Sequence, residues 1–174
     1  MRVKTDTGLS ELEFEKLFME LEKMAFNFAY SIVLNSEDAK DAVQEGFLKL
    51  YRSKEKLDKN KNIKAYLFQI IKNVCFDILR SKRNTQEIEN TTIKINNSRE
   101  TELDRKQIIK EAMNILTTQE RMIIGLLMFE GFTSKEAGEI MNLSDSTIRN
   151  HFMNGRKKIK NFILKNYPDY ARSL

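Results

Sequence analysis

Residues 133–152 read TSKEAGEIMNLSDSTIRNHF, and this stretch decides the fold of the C-terminal half. Thr133 followed by Glu136 has the spacing of a capping box, which predicts that a short helix begins there. Asn142 then predicts a turn, and Ser144 predicts the N-cap of a longer helix. A short helix, a tight turn and a longer helix are the parts of a helix-turn-helix, so that motif is predicted here.

The longer helix carries side chains of the kinds that contact DNA. With Ile148 and Phe152 facing inward, polar residues face outward. Arginine can bond guanine through two hydrogen bonds, asparagine can do the same for adenine, and hydroxyl and cationic side chains suit phosphates. The predicted DNA contacts are Ser144, Asp145, Ser146, Thr147, Arg149, Asn150, Arg156 and Lys157. The alternative is a basic amphipathic helix that only caps a bundle.

The rest of the chain also predicts helices. In the first half, apolar residues recur at steps of three or four in three stripes, with Ser36 as the predicted cap of the second helix and a third helix beginning near Ile63. The second half predicts four helices, and residues 7–167 contain no proline. The predicted fold is all-α. It has two small helical domains, residues 1–84 and 101–174, joined by a polar linker, residues 85–100.

Composition narrows the class of protein. The 174 residues include 30 basic and 25 acidic side chains, and positive charge is concentrated in residues 35–84 and 101–174. Two basic blocks predict two contacts with a polyanion, with solvated helix faces as the alternative. One Cys and one His exclude a disulfide scaffold and a structural zinc site. No apolar run reaches the ~20 residues of a membrane span, so a cytoplasmic protein without membrane insertion is expected.

The sequence contains no motif for catalysis. A Gly-rich phosphate loop, HExxH and a nucleophile elbow are all missing from it, which predicts no enzyme, no cofactor, no metal and no small-molecule substrate. Cys75 lies on an apolar helix side and is expected in the core. Asp38 and Asp41 could mimic a metal site, but two carboxylates without further ligands fit a solvated or partner-binding face better.

The first basic block combines cations with aromatic residues. Lysines crowd the segment from Lys54 to Lys61, and Tyr66 and Phe68 follow it on the third helix. Aromatic side chains beside cations can stack unpaired bases, although burial in the bundle is an equal alternative for each ring. Arg80 lies three residues after Asp77, so a local ion pair between them is expected.

Three segments together resemble an extracytoplasmic-function (ECF) sigma factor of bacterial RNA polymerase. Residues 37–51, EDAKDAVQEGFLKLY, resemble the helix that docks on the polymerase clamp. Residues 62–73, NIKAYLFQIIKN, continuing through Arg80, resemble the helix that melts the promoter and reads its minus-ten element. Residues 116–158 resemble the region that reads the minus-thirty-five element.

The resemblance implies a protein that binds core RNA polymerase, recognises promoter DNA and starts transcription, often under the control of an anti-sigma protein. The implied polymerase contacts are Asp38, Asp41, Gln44 and Glu45. The implied minus-ten and melting contacts are Lys54, Lys56, Lys59, Asn60, Lys61, Asn62, Tyr66, Lys72, Asn73 and Arg80. The DNA contacts of the helix-turn-helix become contacts to the minus-thirty-five element.

The chain departs from the family pattern at a few positions. Residues 117–120 stand where the family usually has a proline shortly before a glutamate, and Thr117 can cap the helix in place of the proline. Gly138 stands where alanine is usual, and Gly46 stands where a β-branched residue is common. Glycine permits close helix approach but costs about 1 kcal/mol of helix propensity relative to alanine.

Two other functions compete with this interpretation. A two-component or quorum-type transcription regulator could carry the same C-terminal domain, but its receiver would need alternating strands and helices in the N-terminal half. A helical adaptor that binds only proteins would leave Arg149, Asn150 and the lysine-rich segment unexplained.

Overall fold

The computed structural model describes residues 8–85 and 102–168. These two ranges contain α-helices and no β-strand, which confirms the all-α prediction. The helices are α1 (Glu11–Val33), α2 (Ser36–Ser53), α3 (Ile63–Thr85), α4 (Glu102–Asn114), α5 (Thr118–Ile124), α6 (Ser134–Met141) and α7 (Asp145–Asn166). The predicted linker, residues 85–100, lies outside the described residues except for Thr85, where α3 ends.

Polar caps set where several helices begin. Thr117 and Thr133 each accept a hydrogen bond from the backbone N–H three residues on, and the glutamate at that position accepts one in return. Both predicted capping boxes are therefore confirmed. The predicted Ser36 cap is wrong, because the Asn35 side chain accepts from two backbone N–H groups and Ser36 is the first helical residue. The side-chain oxygen of Asn35 thereby satisfies two of the backbone N–H groups that have no partner at the start of a helix.

The N-terminal helices α1, α2 and α3 pack into a bundle. Leu21, Phe28 and Ile32 from α1 meet Leu50 of α2 in its buried core, as the apolar stripes predict. Helices α2 and α3 approach each other closely at Gly46, where an added Cβ would lie 2.6 Å from Cγ1 of Ile71. Since real Cβ atoms do not come that close, Gly46 is the residue that allows this approach.

Helices α5, α6 and α7 form the C-terminal bundle, with α4 against α7. Helix α5 continues into a single π-helical turn, Gly125–Phe129. Ile124 packs with Met113 and Leu116 in a small cluster of its own. Other buried residues of the C-terminal bundle, among them Ile140, join the core of the N-terminal bundle.

The two halves of the chain therefore share one core. The ring of Phe68 lies between Phe28 and Phe132, with ring centroids at 5.2 and 4.8 Å. Arg121, buried in α5, donates from Nε to the backbone oxygen of Ser31 at 3.0 Å and from Nη1 to that of Leu116 at 2.8 Å. Because a buried guanidinium satisfies two carbonyls in different halves, it acts as a strut between them.

Candidate nucleic-acid interface

The helix-turn-helix is built around a tight turn between α6 and α7. Asn142 adopts the left-handed conformation with φ 57°, and the N–H of Leu143 donates to the oxygen of Gly138 at 2.9 Å. A Cβ at Gly138 would lie 2.7 Å from the Leu143 oxygen. Glycine at position 138, where the family resemblance expects alanine, is therefore required by the closeness of this turn.

The N-terminal turns of α7 present polar side chains to solvent. Ser144 caps the helix by accepting from the Thr147 N–H, and its hydroxyl bonds those of Ser146 and Thr147 at 2.9 and 2.7 Å. Ile148 is fully buried and fixes the rotation of the helix, so Arg149 and Asn150 point outward. We call residues 144–150 the recognition turn.

Within the recognition turn, charge is balanced locally. Arg149 pairs with Asp145 one turn earlier, while Asn150 is exposed. An intrahelical ion pair between exposed groups contributes little stability and exchanges readily for another anion. The arrangement can therefore offer the guanidinium of Arg149 to a base or a phosphate.

Further along α7, the cations have differing surroundings. Arg156 is exposed and lies over the Phe152 ring at 5.6 Å, and Lys157 is exposed beside it. Lys158 pairs with the buried Glu120 at 2.8 Å. Arg156 and Lys157 are thus available to an anion as predicted, while Lys158 ties α7 to α5.

A cleft of 480 Å³ lies between the start of α3 and the C-terminal bundle. We call it the α3 cleft. It is lined by Lys56, Leu57, Asp58, Lys61, Asn62, Ile63, Ala65, Tyr66, Gln69 and Glu139. Four of these residues are predicted minus-ten contacts, and the structure brings these four, Lys56, Lys61, Asn62 and Tyr66, together there.

Local hydrogen bonds shape the segment that lines the α3 cleft. Asp58 Oδ1 accepts from the backbone N–H of Asn60 at 3.0 Å, and the Asp58 backbone oxygen accepts from the Lys61 N–H at 3.0 Å. Asn62 Oδ1 accepts from the Ala65 N–H at 2.9 Å at the start of α3. These bonds hold a turn that leaves the Tyr66 ring partly exposed on the wall of the cleft.

Two lysines of the same segment contact α1 instead of the cleft. Lys54 pairs with Glu11 and lies over the Tyr51 ring at 4.1 Å, and Lys59 pairs with Glu13 at 3.0 Å. The pKa of Glu13 is lowered to about 2, first by the Ser10 backbone N–H and then by Lys59. These two predicted DNA contacts therefore serve in this structure to fasten the segment to α1.

The remaining predicted contacts on α3 divide by exposure. Asn73 is exposed, and Arg80 forms the expected ion pair with Asp77 at 3.1 Å. Lys72 is half-buried and donates from Nζ to the backbone oxygen of Ile140 in α6 at 2.7 Å, and burial lowers its pKa. Phe68, for which sequence reasoning left base stacking open, is fully buried and stacks no base here.

The predicted polymerase contacts lie along α2. Asp41 and Gln44 are exposed, and Glu45 lies 3.5 Å from Lys49. Asp38 pairs with Lys82 of α3 at 2.6 Å, and only 16% of its side chain is exposed. Asp41 and Gln44 thus offer an open polar face, whereas Asp38 holds α2 to α3.

Comparison with known proteins matches these surfaces to a family. The family model for Sigma-70 region 2 matches residues 17–85, and the model for Sigma-70, region 4 matches residues 106–159. This chain is a sigma factor of the ECF subfamily. It directs RNA polymerase to promoters at transcription initiation, which confirms the predicted function; nothing found supports the alternative of a two-component or quorum-type regulator.

Relatives of the sigma factor cover most of its length. RNA polymerase sigma factor SigV of Bacillus subtilis is 25% identical over 135 residues, which are 78% of this chain and 81% of SigV. The ECF sigma factor SigM of Bacillus subtilis is 24% identical over 140 residues, 78% of this chain and 85% of SigM. The solved structure of sigma factor RpoE with the anti-sigma factor NepR from Bartonella quintana has 22% identity and a TM-score of 0.74, covering 88% of this chain and 98% of RpoE.

The sigma factor also carries an apolar groove that sequence reasoning missed. This α7 groove has a volume of 720 Å³ and is lined by Met128, Met153, Asn154, Arg156, Lys157, Ile159, Lys160, Ile163 and Leu164. Met128, Met153 and Leu164 each expose more than half of their side chains. The available signal in the sequence was Met153, one turn after the recognition turn. It is an apolar residue that lies outside the inward-facing stripe of α7, and exposed apolar side chains can mark a binding surface.

Three further observations concern cysteine chemistry, metal binding and membrane insertion. Cys75 is fully buried as expected, and burial raises its pKa to about 12. Within residues 8–85 and 102–168, no group of three or more His, Cys, Asp or Glu side chains could hold a metal ion. None of the helices described in those ranges is long and apolar enough to cross a membrane.

Proposed function

We propose that this sigma factor contacts promoter DNA through two separate surfaces, the α3 cleft with the exposed residues of α3 and the recognition turn of α7. The observation that carries the proposal is the placement of exposed base-reading side chains on both domains of one chain. In this proposal the protein has no enzymatic activity of its own and acts in the cytoplasm beside core RNA polymerase. The domain boundaries at residues 84 and 101 remain predictions.

The recognition turn supports contact with duplex DNA. Arg149 and Asn150 are adjacent and exposed on a helix whose other side is buried through Ile148. A helix of this kind fits the major groove, where both side-chain types read base edges. Arg156 and Lys157, two turns further on, would then meet the phosphate backbone.

The α3 cleft supports capture of an unpaired base. Its wall combines the partly exposed Tyr66 ring with the cation of Lys61 and the amide of Gln69. A ring can stack on a base, an amide can bond its edge, and a nearby ammonium can attract the backbone. Capturing one base outside the duplex favours strand separation, which is the step that promoter melting requires.

The open face of α2 supports contact with polymerase. Asp41 and Gln44 are exposed on one side of a helix whose other side is buried through Ala42 and Val43. Carboxylate and amide groups on a rigid helix can match a basic protein surface and increase the rate of association. Asp38, held by Lys82, supports this face by positioning the helix.

The α7 groove supports binding of an anti-sigma protein. Its apolar floor is flanked by the cations Arg156, Lys157 and Lys160, which fits an amphipathic helix with acidic residues. Two structural relatives, RpoE and CnrH, were solved with the anti-sigma factor NepR and with the cytosolic domain of CnrY, respectively. Replacing Met153 with Glu is expected to raise the concentration of a purified anti-sigma protein needed to inhibit transcription.

Run-off transcription with core RNA polymerase tests the proposal. The wild-type protein should start transcription from specific fragments of genomic DNA, and Asp41→Ala should lower its affinity for core enzyme while leaving duplex binding unchanged. The control is Glu22→Ala, which removes an exposed carboxylate of α1. Equal losses in the two variants would remove Asp41 from the polymerase interface, and no initiation from any fragment would overturn the proposed function.

A further inference from the structure

Helix α7 carries a large apolar side chain on the side that faces DNA in the proposed function. Met153 is 61% exposed, and the helix buries its opposite side through Ile148 and Gly155. The packing of the C-terminal bundle therefore does not account for a large apolar residue at position 153.

The neighbours of Met153 on this side of α7 are residues predicted to contact DNA. Residues three or four positions apart lie next to each other on the surface of a helix. Met153 therefore lies beside Arg149 and Asn150 of the preceding turn and beside Arg156 and Lys157 of the next turn, and all four are exposed. A helix that brings the first pair to base edges and the second pair to phosphates holds Met153 between these two sets of contacts.

The chemistry of methionine selects one group of the duplex. A thioether has no hydrogen-bond donor and is only a weak acceptor, so it cannot replace the water that hydrates phosphates and polar base edges. In the major groove, the C5 methyl group of thymine is contacted by apolar side chains. Methionine suits such a contact because its unbranched, flexible chain adapts to the surface it meets.

We propose that Met153 is a specificity-determining residue that contacts the methyl group of one thymine in the promoter duplex. The inference rests on the proposed role of the recognition turn and extends base reading by one helical turn beyond it. Met153 lies one turn after Arg149, which is a rise of about 6 Å along the helix. Because base pairs are stacked about 3.4 Å apart, the thymine should lie about two base pairs from the one that Arg149 reads.

Replacement of single thymines tests the proposal. Met153 also lines the α7 groove, the proposed site of an anti-sigma protein, so the assay uses the full chain bound to core RNA polymerase without that protein. A preferred duplex is selected from a random pool, and each of its thymines is then replaced in turn by deoxyuridine, which lacks only the methyl group. Near the base pair read by Arg149, one replacement should lower the affinity about fourfold, as expected for the loss of one buried methyl group.

Variants at position 153 identify the side chain that meets this methyl group. Met153→Ala should bind the unmodified duplex at least about fourfold more weakly and should no longer distinguish thymine from deoxyuridine there. Met153→Leu keeps an apolar side chain of similar size and should retain the distinction. Met19→Ala, which truncates an exposed methionine of α1, is the matched control and should behave as the wild type.

The outcomes separate this inference from the proposed function. The inference is overturned if Met153→Ala distinguishes thymine from deoxyuridine as well as the wild type does, or if no replacement near that base pair affects the wild type. If Arg149→Ala nevertheless relaxes the preference at one base pair in the same assay, the recognition turn reads DNA and only the role of Met153 is wrong. If neither variant changes any preference, the proposed role of the recognition turn is wrong as well.

Discussion

The recognition turn and the α3 surface are both suited to DNA, but they differ in what their side chains contact. Arg149 is paired only with Asp145, four residues away on the same helix. Asn62 and Lys72 bond groups in α6, 74 and 68 residues away. The recognition turn therefore exists whenever its own helices fold, whereas the state of the α3 surface depends on the position of the other domain.

This difference decides which of the two surfaces is independent of the packing of the domains. A surface whose partners are local can meet duplex DNA without any rearrangement. Asn62 and Lys72 of the α3 surface keep their present partners in α6 only while the two domains stay packed together.

Removal of Arg121, the strut between the domains, should have the largest effect on the free energy of unfolding. Arg121→Ala deletes the hydrogen bonds to the Ser31 and Leu116 oxygens and leaves both carbonyls without that donor. We expect a loss of about 2–4 kcal/mol in the free energy of unfolding, measured by urea denaturation, because unpaired buried polar groups are costly. Arg52→Ala, which removes an exposed arginine of α2, should change stability far less. Equal stability of the two variants would show that the strut contributes nothing.

Loss of the exposed Arg149 guanidinium should show whether the recognition turn reads a base pair. Arg149→Ala should weaken binding to a preferred duplex by about 1–3 kcal/mol and relax the preference at one base pair, if the contact is bidentate. Selection of duplexes from a random pool measures both effects. Lys157→Ala removes an exposed cation of α7 that is predicted to meet a phosphate, and it should weaken binding without changing the preference. An unchanged preference in Arg149→Ala would exclude it as a base contact.

Loss of an aromatic ring should sharpen the comparison on the α3 side. Tyr66→Ala should weaken single-strand binding by about 1–2 kcal/mol through lost stacking and leave duplex binding unchanged. Fluorescence anisotropy with labelled DNA measures both. Tyr66→Phe keeps the ring and should retain most of the affinity, so that similar losses in the two variants would point to the hydroxyl group instead of stacking.

The smallest expected effect concerns the pH dependence of the domain contact. Burial raises the pKa of Glu130 while the two domains are packed together, and Asn27 of α1 and Lys64 of α3 act in the opposite direction. A carboxyl group with a raised pKa keeps its proton to a higher pH in the packed arrangement. The packing of the domains therefore gains stability as pH falls and loses it, with a slight opening, as pH rises through the raised pKa. Scattering measurements at several pH values should show this slight opening in the wild type. The opening should be weaker in Glu130→Gln, and identical profiles would exclude Glu130 as its source.

Local features of this fold could be predicted from the sequence, and distant ones could not. The capping boxes at Thr117 and Thr133 involve residues three apart, so their spacing is visible in the chain. The pairs Lys54–Glu11 and Lys59–Glu13 join residues more than forty apart, and no spacing rule identifies them. The resemblance implied that both lysines contact DNA, and it gave no sign that they also fasten a loop to α1.

The contact between the domains could not be predicted from the sequence for the same reason. The stripe that contains Phe68 predicts a buried face, but periodicity does not tell which element buries it. In the structure that ring packs on Phe28 of its own bundle and on Phe132 of the other domain. A polar linker between the domains is compatible with many arrangements, so the sequence does not predict the shared core.

The close approach at Gly46 links two positions by volume. Because Cγ1 of Ile71 fills the space where a Cβ at position 46 would stand, a side chain can be added at one position only as atoms are removed at the other. A β-branched residue at position 46 should therefore be accompanied by a smaller one at position 71 in related sequences. Gly46 and Ile71 therefore share one volume, and an increase in the size of one side chain requires a decrease in the size of the other.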